Sequence, residues 1–278
     1  MSTVFPKVSV IIPTHNRANV IQRALHSVLH QTYENLEVIV VDDASTDNTA
    51  EIIHAIDDKR IIFLRQEVRH GAAVARNIGI HQATGEFIAF QDSDDEWLNE
   101  KLEKQMTVML KASDRVGVVY SGFLRFEDNA AKYYPSKQIE PKSGSILEPL
   151  LSGNFVTTQA VVIRKKCLLA SGLFDERLPR LQDWELFLRL AELYEFVCVD
   201  EPLLIAFHSN KSITADSTLF PVALKMLLEK HENKFRPHPA IWAKHYGVLS
   251  YLMFKKLDFS NGIKYLNKSI HSLLEKFS

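Results

Sequence analysis

The chain has 278 residues, of which 46% are apolar and 24% charged, and its formal net charge is −1. This length and balance are typical of a soluble globular protein with one large domain, or a domain plus an appendage. No apolar run approaches the ~18 residues that a membrane-spanning helix needs. We expect no nucleic-acid partner for a chain of such even charge.

The cysteines and the first residues of the chain indicate where the protein is located. Cys167 and Cys198 are too few, and wrongly spaced, for a disulfide framework or a zinc site, which favours a reducing compartment. Residues 1–7 do not resemble a signal peptide, because the first apolar run is broken by Pro13 and is typical of a strand. The chain is therefore expected to be cytoplasmic, either free or peripheral at the inner face of the cell membrane.

Apolar runs alternate with helical patterns through the first hundred residues. Strands are predicted at Val8–Ile12, Leu36–Val41, Ile61–Leu64 and Phe87–Phe90. Helices are predicted between them, one capped by Asn16, one over Thr49–Ile56 and one opened by Gly71. This β-α-β-α-β-α-β order predicts a doubly wound, mostly parallel sheet with right-handed crossovers.

The rest of the chain continues with mixed elements and ends in helices. The predictions are a helix over Trp97–Lys111, a strand over Val116–Phe123, a long loop over Leu124–Ser143, a strand over Val156–Arg164, a helix from Leu181 with Leu186, Leu190 and Leu193 buried, and a strand over Glu195–Phe207. Three further helices are predicted over Phe220–Lys234, Pro239–Leu257 and Ser260–Phe277. We therefore expect an α/β domain over residues 1–215 and a C-terminal helical appendage over residues 216–278.

Polar clusters follow three of the predicted strands. They are Thr14-His15-Asn16, Asp42-Asp43 and Asp92-Ser93-Asp94-Asp95. Carboxyl ends of parallel strands lie along one edge of a sheet, so the clusters are expected to meet in one crevice. An Asp-x-Asp offers oxygen ligands to a hard divalent cation that can hold phosphates. The simpler alternative is a solvated turn in which Asp95 caps the next helix.

Two common nucleotide-binding motifs are missing from the sequence. No Gly-rich G-x-G-x-x-G follows the first strand, which argues against a nicotinamide or flavin enzyme. No G-x-x-x-x-G-K-[ST] occurs, which argues against P-loop phosphoryl transfer. Phosphate binding would therefore fall to a metal ion rather than to backbone amides.

A known family carries these motifs in the same order and with the same spacing. The matching stretches are Val8–Arg17, Val41–Asp47, Gly71 with Arg76–Gly79, Gly85–Trp97 and Gln182–Leu186. Over about residues 5–210 the chain resembles the family 2 glycosyltransferases, inverting enzymes of the GT-A fold. The resemblance implies a GT-A-like sheet and the transfer of a sugar from a nucleotide-sugar donor, most simply a UDP-sugar. It also implies bacterial surface-polysaccharide or glycolipid synthesis as the setting.

The resemblance implies a base pocket at the end of the first two strands. Pro13, Thr14 and Asn16 would line it. Asp43 would accept a hydrogen bond from N3–H of uracil, with Asp42 beside it. No Gly-rich loop lies there, as a sugar nucleotidyltransferase of related topology would need, so that alternative is less favoured.

The resemblance also implies a diphosphate site near the Asp-x-Asp. Arg76 and Ser93 would lie near the nucleotide, and Asp92 would meet the ribose. Asp94, together with Asp92 and with His208 from a more variable motif, would bind Mn²⁺ or Mg²⁺ bridging the diphosphate. A surface histidine without a ligand is the alternative for His208.

The resemblance implies that Asp183 is the catalytic base. The family has an acidic pair here, whereas this chain has Gln182 before Asp183, so Glu185 is a conceivable substitute. The change also leaves open a non-catalytic sugar-nucleotide-binding or scaffold protein. A carboxylate that removes the proton of an acceptor hydroxyl suits one in-line displacement with inversion. The acceptor would be a saccharide or a lipid-linked saccharide.

The C-terminal residues are more basic than the rest. Residues 220–278 contain ten Lys or Arg and four Asp or Glu. The basic helices could contact an anionic membrane surface near a lipid-linked acceptor. The alternatives are a merely solvated basic face, or a homo-oligomer or partner interface that uses Trp242, Tyr246 and Tyr251.

Overall fold

One mixed sheet forms the framework of the protein. The structure is a computed structural model that describes residues 5–127, 130–140, 142–207 and 218–274. Within these residues the strands are β1 (Val8–Thr14), β2 (Leu36–Asp42), β3 (Ile61–Arg65), β4 (Phe87–Phe90), β5 (Glu96–Trp97), β6 (Val116–Glu127), β7 (Ala130–Tyr134), β8 (Val161–Arg164) and β9 (Glu195–Phe207).

Helices connect the strands and make up the C-terminal part. They are α1 (Ile21–Leu29), α2 (Thr49–His54), α3 (Ala72–Gln82), α4 (Lys101–Lys111), α5 (Leu147–Ser152), α6 (Lys165–Ser171), α7 (Gln182–Leu193), α8 (Leu219–Lys230), α9 (Glu232–Phe235), α10 (Pro239–Lys255) and α11 (Phe259–Leu274). Helices α5 and α6 were not predicted from the sequence pattern.

The first four strands form the parallel half of the sheet. Their order is β3-β2-β1-β4, and each neighbouring pair is parallel. Every residue of β1, β2 and β4 is buried, because helices cover both faces, and such strands have continuous apolar sequences. The predicted alternation of strands and helices is therefore confirmed in this half.

Beyond β4 the strands run in both directions. The order continues β8-β6-β9-β5, with β7 paired to β6. Strand β8 is antiparallel to both β4 and β6, whereas β6 and β9 are parallel. The sheet is therefore mixed. The strands β3, β2, β1 and β4 all run in one direction, so their carboxyl ends lie along the same edge of the sheet.

A close helix contact fixes α3 against the sheet. A Cβ at Gly79 would lie 2.5 Å from a side-chain carbon of Ile11, so only glycine allows this approach. The N-terminal residue before the helix is Gly71, with φ of 97°, which favours glycine as well. Helix α3 carries Arg76 to the carboxyl edge.

Several predicted boundaries were wrong near the Asp-x-Asp. The helix predicted from Trp97 begins at Lys101, because Glu96 and Trp97 form β5 and pair with Ile205 and Leu204 of β9. Asp95 does not cap that helix; its carboxylate accepts a hydrogen bond from Phe207 N at 3.0 Å. Pairing with a distant strand therefore decided the local conformation.

The predicted first helix and long loop also need correction. Asn16 does not cap α1: its φ is 52° and its side-chain oxygen accepts from Thr46 N at 2.8 Å, while α1 begins at Ile21. The predicted loop over Leu124–Ser143 begins as a hairpin, in which β6 continues to Glu127 and pairs with β7.

Two further expectations fail by a few residues. The strand predicted over Val156–Arg164 is regular only from Val161, because Thr158–Ala160 forms a 3₁₀ turn. In α7, Leu186 and Leu190 are buried as predicted, but Leu193 is 57% exposed because it lies in the last turn.

The described residues fall into two compact units. The first takes the chain as far as Leu150, then Asn154–Glu176, and continues from Asp183; the second takes Leu151–Gly153, Arg177–Gln182 and the C-terminal helices. The predicted boundary at residue 215 lies outside the described residues. Among the helices that the structure describes, none is long and apolar enough to cross a membrane.

Candidate active site

The carboxyl edge of the parallel strands brings the predicted polar clusters together. Thr14 and Asp42 are register partners at the ends of β1 and β2, and Asp43 N donates to Thr14 O at 2.8 Å. Asp92 follows β4, which pairs with β1 on its other side. The expected convergence of these strand ends at one edge is therefore what the structure has.

Asp43 holds the segment that leads into α3. Its Oδ1 accepts from Gln66 Nε2 at 2.9 Å and from His70 N at 2.7 Å, and its Oδ2 accepts from Gly71 N at 2.7 Å. The side chain is buried. Backbone and amide donors thus already occupy most of the acceptor positions of this carboxylate.

Asp42 has a different environment although it is the adjacent residue. Its Oδ1 accepts from the backbone and the hydroxyl of Ser45, the backbone bond being 3.2 Å. Its Oδ2 is buried with no hydrogen-bond partner among the described residues, and it lies 3.6 Å from Arg65 Nε. A buried carboxylate oxygen without a donor is costly unless a ligand or water meets it.

Two neighbouring polar groups share this condition. Thr14 Oγ1 and the side-chain amide of Gln91 are buried without a hydrogen-bond partner among the described residues. By strand alternation, Thr14, Asp42 and Gln91 lie on one face of the sheet, the face that carries Val10, Val40 and Ala89. Pro13, also buried, precedes Thr14.

The Asp-x-Asp forms a crowded acidic turn edged by arginines. Arg76 donates to Asp92 Oδ1 at 2.9 Å, and Arg17 lies 3.7 Å from Asp94 Oδ2. Burial, and then the charge of Asp92, raise the pKa of the Asp94 carboxyl. The same causes raise the pKa of Asp95 well above its usual value. Ser93 is buried between them.

The residues present fit a divalent cation that shares its coordination with a ligand. Among the described residues no group of three or more His, Cys, Asp or Glu is arranged to hold a metal by itself. Asp92 and Asp94 supply hard oxygen ligands, and their mutual repulsion would be relieved by a dication. Mg²⁺ typically takes one or two carboxylates and completes its shell with phosphates and water. His208 lies outside the described residues.

Asp183 lies in the first turn of α7 with two hydrogen-bond donors. Asn154 Nδ2 donates to its Oδ2 at 2.9 Å, and Trp184 N donates to its Oδ1 at 2.8 Å. Burial raises the pKa of the Asp183 carboxyl, the Trp184 N–H and the charge of Arg76 lower it, Asp92 raises it and Asn154 lowers it. The net pKa is raised, and Asp183 feels the charges of the acidic turn.

Glu185, the other carboxylate near the start of α7, has a structural environment. Its side chain is fully buried and accepts from Arg189 at 2.9 and 2.8 Å. Arg189 also donates to the carbonyls of Gly172 at 2.7 Å and Leu173 at 2.6 Å. Glu185 therefore positions an arginine that holds a loop, which favours Asp183 as the carboxylate open to a substrate.

The sequence motifs did not identify two residues at this site. Asn154 lies in a loop without a local pattern, and nothing in the sequence connects it to Asp183. Arg23 donates to Asp94 O and lies 3.7 Å from the ring centroid of Phe207. The only signal for Arg23 was its place on the polar side of a predicted helix, which is typical of a solvated residue.

The fold and the acidic edge of the sheet are those of a GT-A glycosyltransferase. The family model described as "Glycosyl transferase family 2" matches residues 9–168, and the chain belongs to that family. A mannosyltransferase from Pyrobaculum calidifontis, solved with GDP-Man and Mn²⁺, shares the fold, with a TM-score of 0.66 and 20% identity over 98% of this chain and 75% of that one.

Curated relatives match shorter parts of their own length. An uncharacterized glycosyltransferase of Rickettsia felis is 32% identical over 74% of this chain and 35% of that protein. The Escherichia coli protein WfgD, named as a UDP-Glc:alpha-D-GlcNAc-diphosphoundecaprenol beta-1,3-glucosyltransferase, is 42% identical over 44% of this chain and 48% of that protein. The matches thus span about a third to a half of these relatives.

Proposed function

We propose that the chain transfers a sugar from a UDP-sugar to a hydroxyl of a lipid-linked saccharide, with inversion and with Mn²⁺ or Mg²⁺. One observation carries the proposal. The part-buried Asp183 carboxylate has a raised pKa and feels the charges of Asp92 and Arg76, the pair at the Asp-x-Asp turn. Glycosyl transfer needs a base close to the turn that binds the diphosphate, and here the two are close enough for their charges to interact.

The donor nucleoside is proposed to bind at the ends of β1 and β2. Pro13, Thr14 and Asn16 keep the roles that the resemblance implies, whereas the hydrogen bond from uracil passes from Asp43 to the adjacent Asp42. The unpartnered Thr14 Oγ1 and Asp42 Oδ2 support this, because a base or ribose would supply the missing hydrogen bonds. Asp42 is the better acceptor for N3–H of uracil, since Asp43 is already hydrogen-bonded to the segment before α3.

The diphosphate is proposed to lie over the acidic turn. Asp92 and Asp94 would hold the cation, Ser93 lies between them, and Arg76 would stay beside the phosphates as it now stays beside Asp92. When bound, the cation supplies Lewis-acid stabilisation of the charge that develops on the leaving nucleoside diphosphate. Residue His208 remains a proposed contributor to this site.

Asp183 is proposed to take the acceptor proton. A hydroxyl is a poor nucleophile until a base within hydrogen-bond reach removes its proton as it attacks the anomeric carbon. A raised pKa brings the carboxylate closer to the operating pH, which strengthens it as a base. Attack opposite the leaving diphosphate turns an α-linked donor into a β-glycoside. The E. coli relative carries a beta-transfer and a diphospholipid acceptor in its name, which supports both choices.

The test compares two carboxylate substitutions on one helix. Asp183→Asn is expected to reduce transfer from UDP-sugars by about a hundredfold to ten-thousandfold while UDP still stabilises the fold, because only the base is lost. Glu185→Gln is the control for the alternative base. It is expected to lower the thermal stability and to leave turnover per folded molecule nearly unchanged. NMR of the product should show the β anomer.

Three results would contradict the proposal. Retention of the anomeric configuration of the sugar in the product would rule out a single in-line displacement. A second result is that Asp183→Asn stays active while Glu185→Gln loses as much turnover per folded molecule as we expect of Asp183→Asn. That result would assign the role of base to Glu185. Binding of UDP without transfer to any acceptor by the unaltered chain would identify a sugar-nucleotide-binding protein instead.

A further inference from the structure

A cavity of about 240 Å³ lies among the last three helices of the chain, α9, α10 and α11. The residues that line it belong to the second compact unit, so the cavity is a feature of that unit alone. Each helix, or the residue that directly follows it, contributes side chains one helical turn apart, and such side chains share a helix face. They are Glu232 and Arg236, Trp242 and Tyr246, and Lys268 and Ser272.

The wall that α10 contributes is aromatic and packed. Trp242 and Tyr246 are only 8% and 6% exposed, and their ring centroids lie 5.6 Å apart. Tyr246 also stacks on Tyr265 of α11, with ring centroids 6.2 Å apart. On α11, Ser272 is buried and its hydroxyl donates to Lys268 O at 2.9 Å. These contacts fix the wall without a ligand, and binding cavities are usually preformed in this way.

The indole N–H of Trp242 is a donor without an acceptor. Its Nε1 is buried and forms no hydrogen bond with any described residue. Burial raises the pKa of Tyr246 and the Trp242 N–H lowers it, so the two groups lie close together, although not in hydrogen-bonding geometry. By contrast, the indole N–H groups of Trp97 and Trp184 both donate to backbone carbonyls. A buried donor without a partner is costly, and an acceptor atom of a ligand would remove that cost.

The charges around the cavity are mostly positive. Arg236 and Lys268 are exposed cations, and neither forms an ion pair with another described residue. Lys268 Nζ lies 5.0 Å from the ring centroid of Tyr246, which places its charge at the aromatic wall. Glu232 is the one carboxylate among the described residues of the lining, and His271 also lines the cavity. The lining therefore offers many hydrogen-bond donors and few acceptors.

We propose that this cavity binds the phosphate group of a small ligand, either free phosphate or a phosphate monoester. A phosphate carries up to about two negative charges and accepts hydrogen bonds at three oxygens, which complements two cations and an indole N–H. The cavity is smaller than the roughly 300–1,000 Å³ of pockets for drug-sized molecules, which favours a compact ligand. A single carboxylate makes a divalent cation a poorer occupant. The acidic turn belongs to the other unit, and the inference does not depend on the proposed active site.

The test is a calorimetric titration of the full chain with glucose 1-phosphate, with inorganic phosphate and, as the uncharged control, with glucose. Two exposed lysines of α11 provide matched substitutions: Lys268 lines the cavity, whereas Lys264, one turn earlier, is not part of the lining. We expect Lys268→Gln to weaken binding of the phosphate ligands about tenfold, because a charge-assisted hydrogen bond is lost. Arg236→Gln should have a similar effect, and Lys264→Gln should leave the affinity nearly unchanged.

A further substitution tests the indole N–H directly. Trp242→Phe keeps an aromatic ring in the wall and removes the donor, so we expect the affinity for the phosphate ligands to fall about fivefold. Because the arginines near the acidic turn could also attract phosphate, this loss would locate the ligand in the second unit. Thermal unfolding of each variant without ligand checks that the fold is retained.

Three outcomes would overturn the inference. The first is that neither phosphate ligand binds at millimolar concentration, or that glucose binds as tightly as glucose 1-phosphate. The second is equal weakening by Lys264→Gln and Lys268→Gln, which would indicate a diffuse effect of charge. The third is unchanged affinity in Lys268→Gln, Arg236→Gln and Trp242→Phe, which would place the ligand elsewhere on the chain.

The two phosphate ligands also identify the source of the phosphate group. Tighter binding of glucose 1-phosphate than of inorganic phosphate would support the cavity as a site for a monoester. The reverse order would support it as a site for the free ion. In both cases the loss in Lys268→Gln, but not in Lys264→Gln, is the result that assigns the ligand to this cavity.

Discussion

Two adjacent carboxylates at the end of β2 have different partners. Asp43 accepts from Gln66, His70 and Gly71, whereas Oδ2 of Asp42 has no donor among the described residues. A carboxylate that holds a loop contributes to folding, and one with an open oxygen can contribute to ligand binding. Neighbouring residues of one type therefore have separable roles.

Substitution of these two residues by asparagine should separate stability from affinity. Asp43→Asn puts an amide N–H against backbone donors, so we expect the free energy of unfolding to fall by about 1–3 kcal/mol. Asp42→Asn should cost less stability but weaken UDP binding about tenfold or more. Urea unfolding and titration calorimetry measure the two effects. A loss of affinity confined to Asp43→Asn would reverse the assignment.

Asn154 is expected to adjust the pH at which Asp183 can act. Its amide donates to the carboxylate and favours the charged form, so it lowers a pKa that burial raises. Removal of this donor in Asn154→Ala should raise the Asp183 pKa. The acidic limb of kcat/KM against pH should then move to higher pH, while the plateau at high pH changes only a few-fold.

The control for this prediction is the shape of the profile. Asn154 Oδ1 also accepts from Val156 N at 3.3 Å, so a loop displacement is a competing effect of the substitution. A displaced loop would lower kcat/KM by the same factor at every pH and leave the limb in place. That result would limit Asn154 to a structural role.

At the scale of elements, the contact between α3 and β1 offers a direct test of how the site is built. The Gly79→Ala Cβ would lie 2.5 Å from a side-chain carbon of Ile11, so the helix or the strand must shift. We expect a loss of about 1–3 kcal/mol in unfolding free energy. Because α3 also carries Arg76, which pairs with Asp92, UDP affinity should fall as well.

Gly153→Ala is the matched control. A Cβ there meets no atom of the described residues within 4 Å, and its change in stability should stay within about 0.5 kcal/mol. Equal stability of the two variants would show that the α3 contact is adaptable. Unchanged UDP affinity in a destabilised Gly79→Ala would separate the packing of α3 from the position of Arg76.

The elements differ in how far local sequence determines them. β1, β2 and β4 could be predicted to within two residues at each end, because strands buried on both faces have continuous apolar sequences. β5 could not, since Glu96 and Trp97 are extended only through pairing with Leu204 and Ile205 of a distant strand.

The same distinction applies to the site. The acidic clusters could be predicted because they directly follow parallel strands, and such strand ends share an edge. The contact between Asn154 and Asp183 depends on where a loop and a helix meet in the folded chain. The exposure of apolar residues such as Ile263 and Leu266 on α11 likewise needed the structure, because an apolar helix face in a sequence does not reveal whether another element covers it.

At the scale of the whole molecule, the acidic turn links stability to pH. Burial, and then the charge of Asp92, raise the pKa of Asp95 above its value in the unfolded chain, so the folded state holds this proton more tightly. Its stabilising contribution is present below the unfolded pKa of about 3.9 and is lost as pH rises through the folded pKa. At neutral pH the raised pKa of Asp95 therefore makes the free energy of unfolding lower than it is at acidic pH.

Asp95→Asn should accordingly be more stable than the unaltered chain at pH 7, by about 1 kcal/mol or more, and this difference should shrink toward pH 4. The amide can still accept from Phe207 N, which keeps the local bond. Asp47→Asn is a control of opposite sign. Burial raises the pKa of Asp47, but hydrogen bonds from Thr49 and Ala18 lower it more, so its net pKa is lowered. This substitution should therefore lower the free energy of unfolding at pH 7.

A divalent cation should reverse the effect of the acidic turn. Asp95 belongs to the same cluster as Asp92 and Asp94, so Mn²⁺ with UDP should stabilise the unaltered chain most at pH values where these carboxyls are ionised. Urea unfolding across the pH range, with and without Mn²⁺ and UDP, measures both effects. A pH-independent gain in Asp95→Asn, or Mn²⁺ stabilisation that persists in Asp94→Asn, would contradict the view that these carboxylates form one charged site.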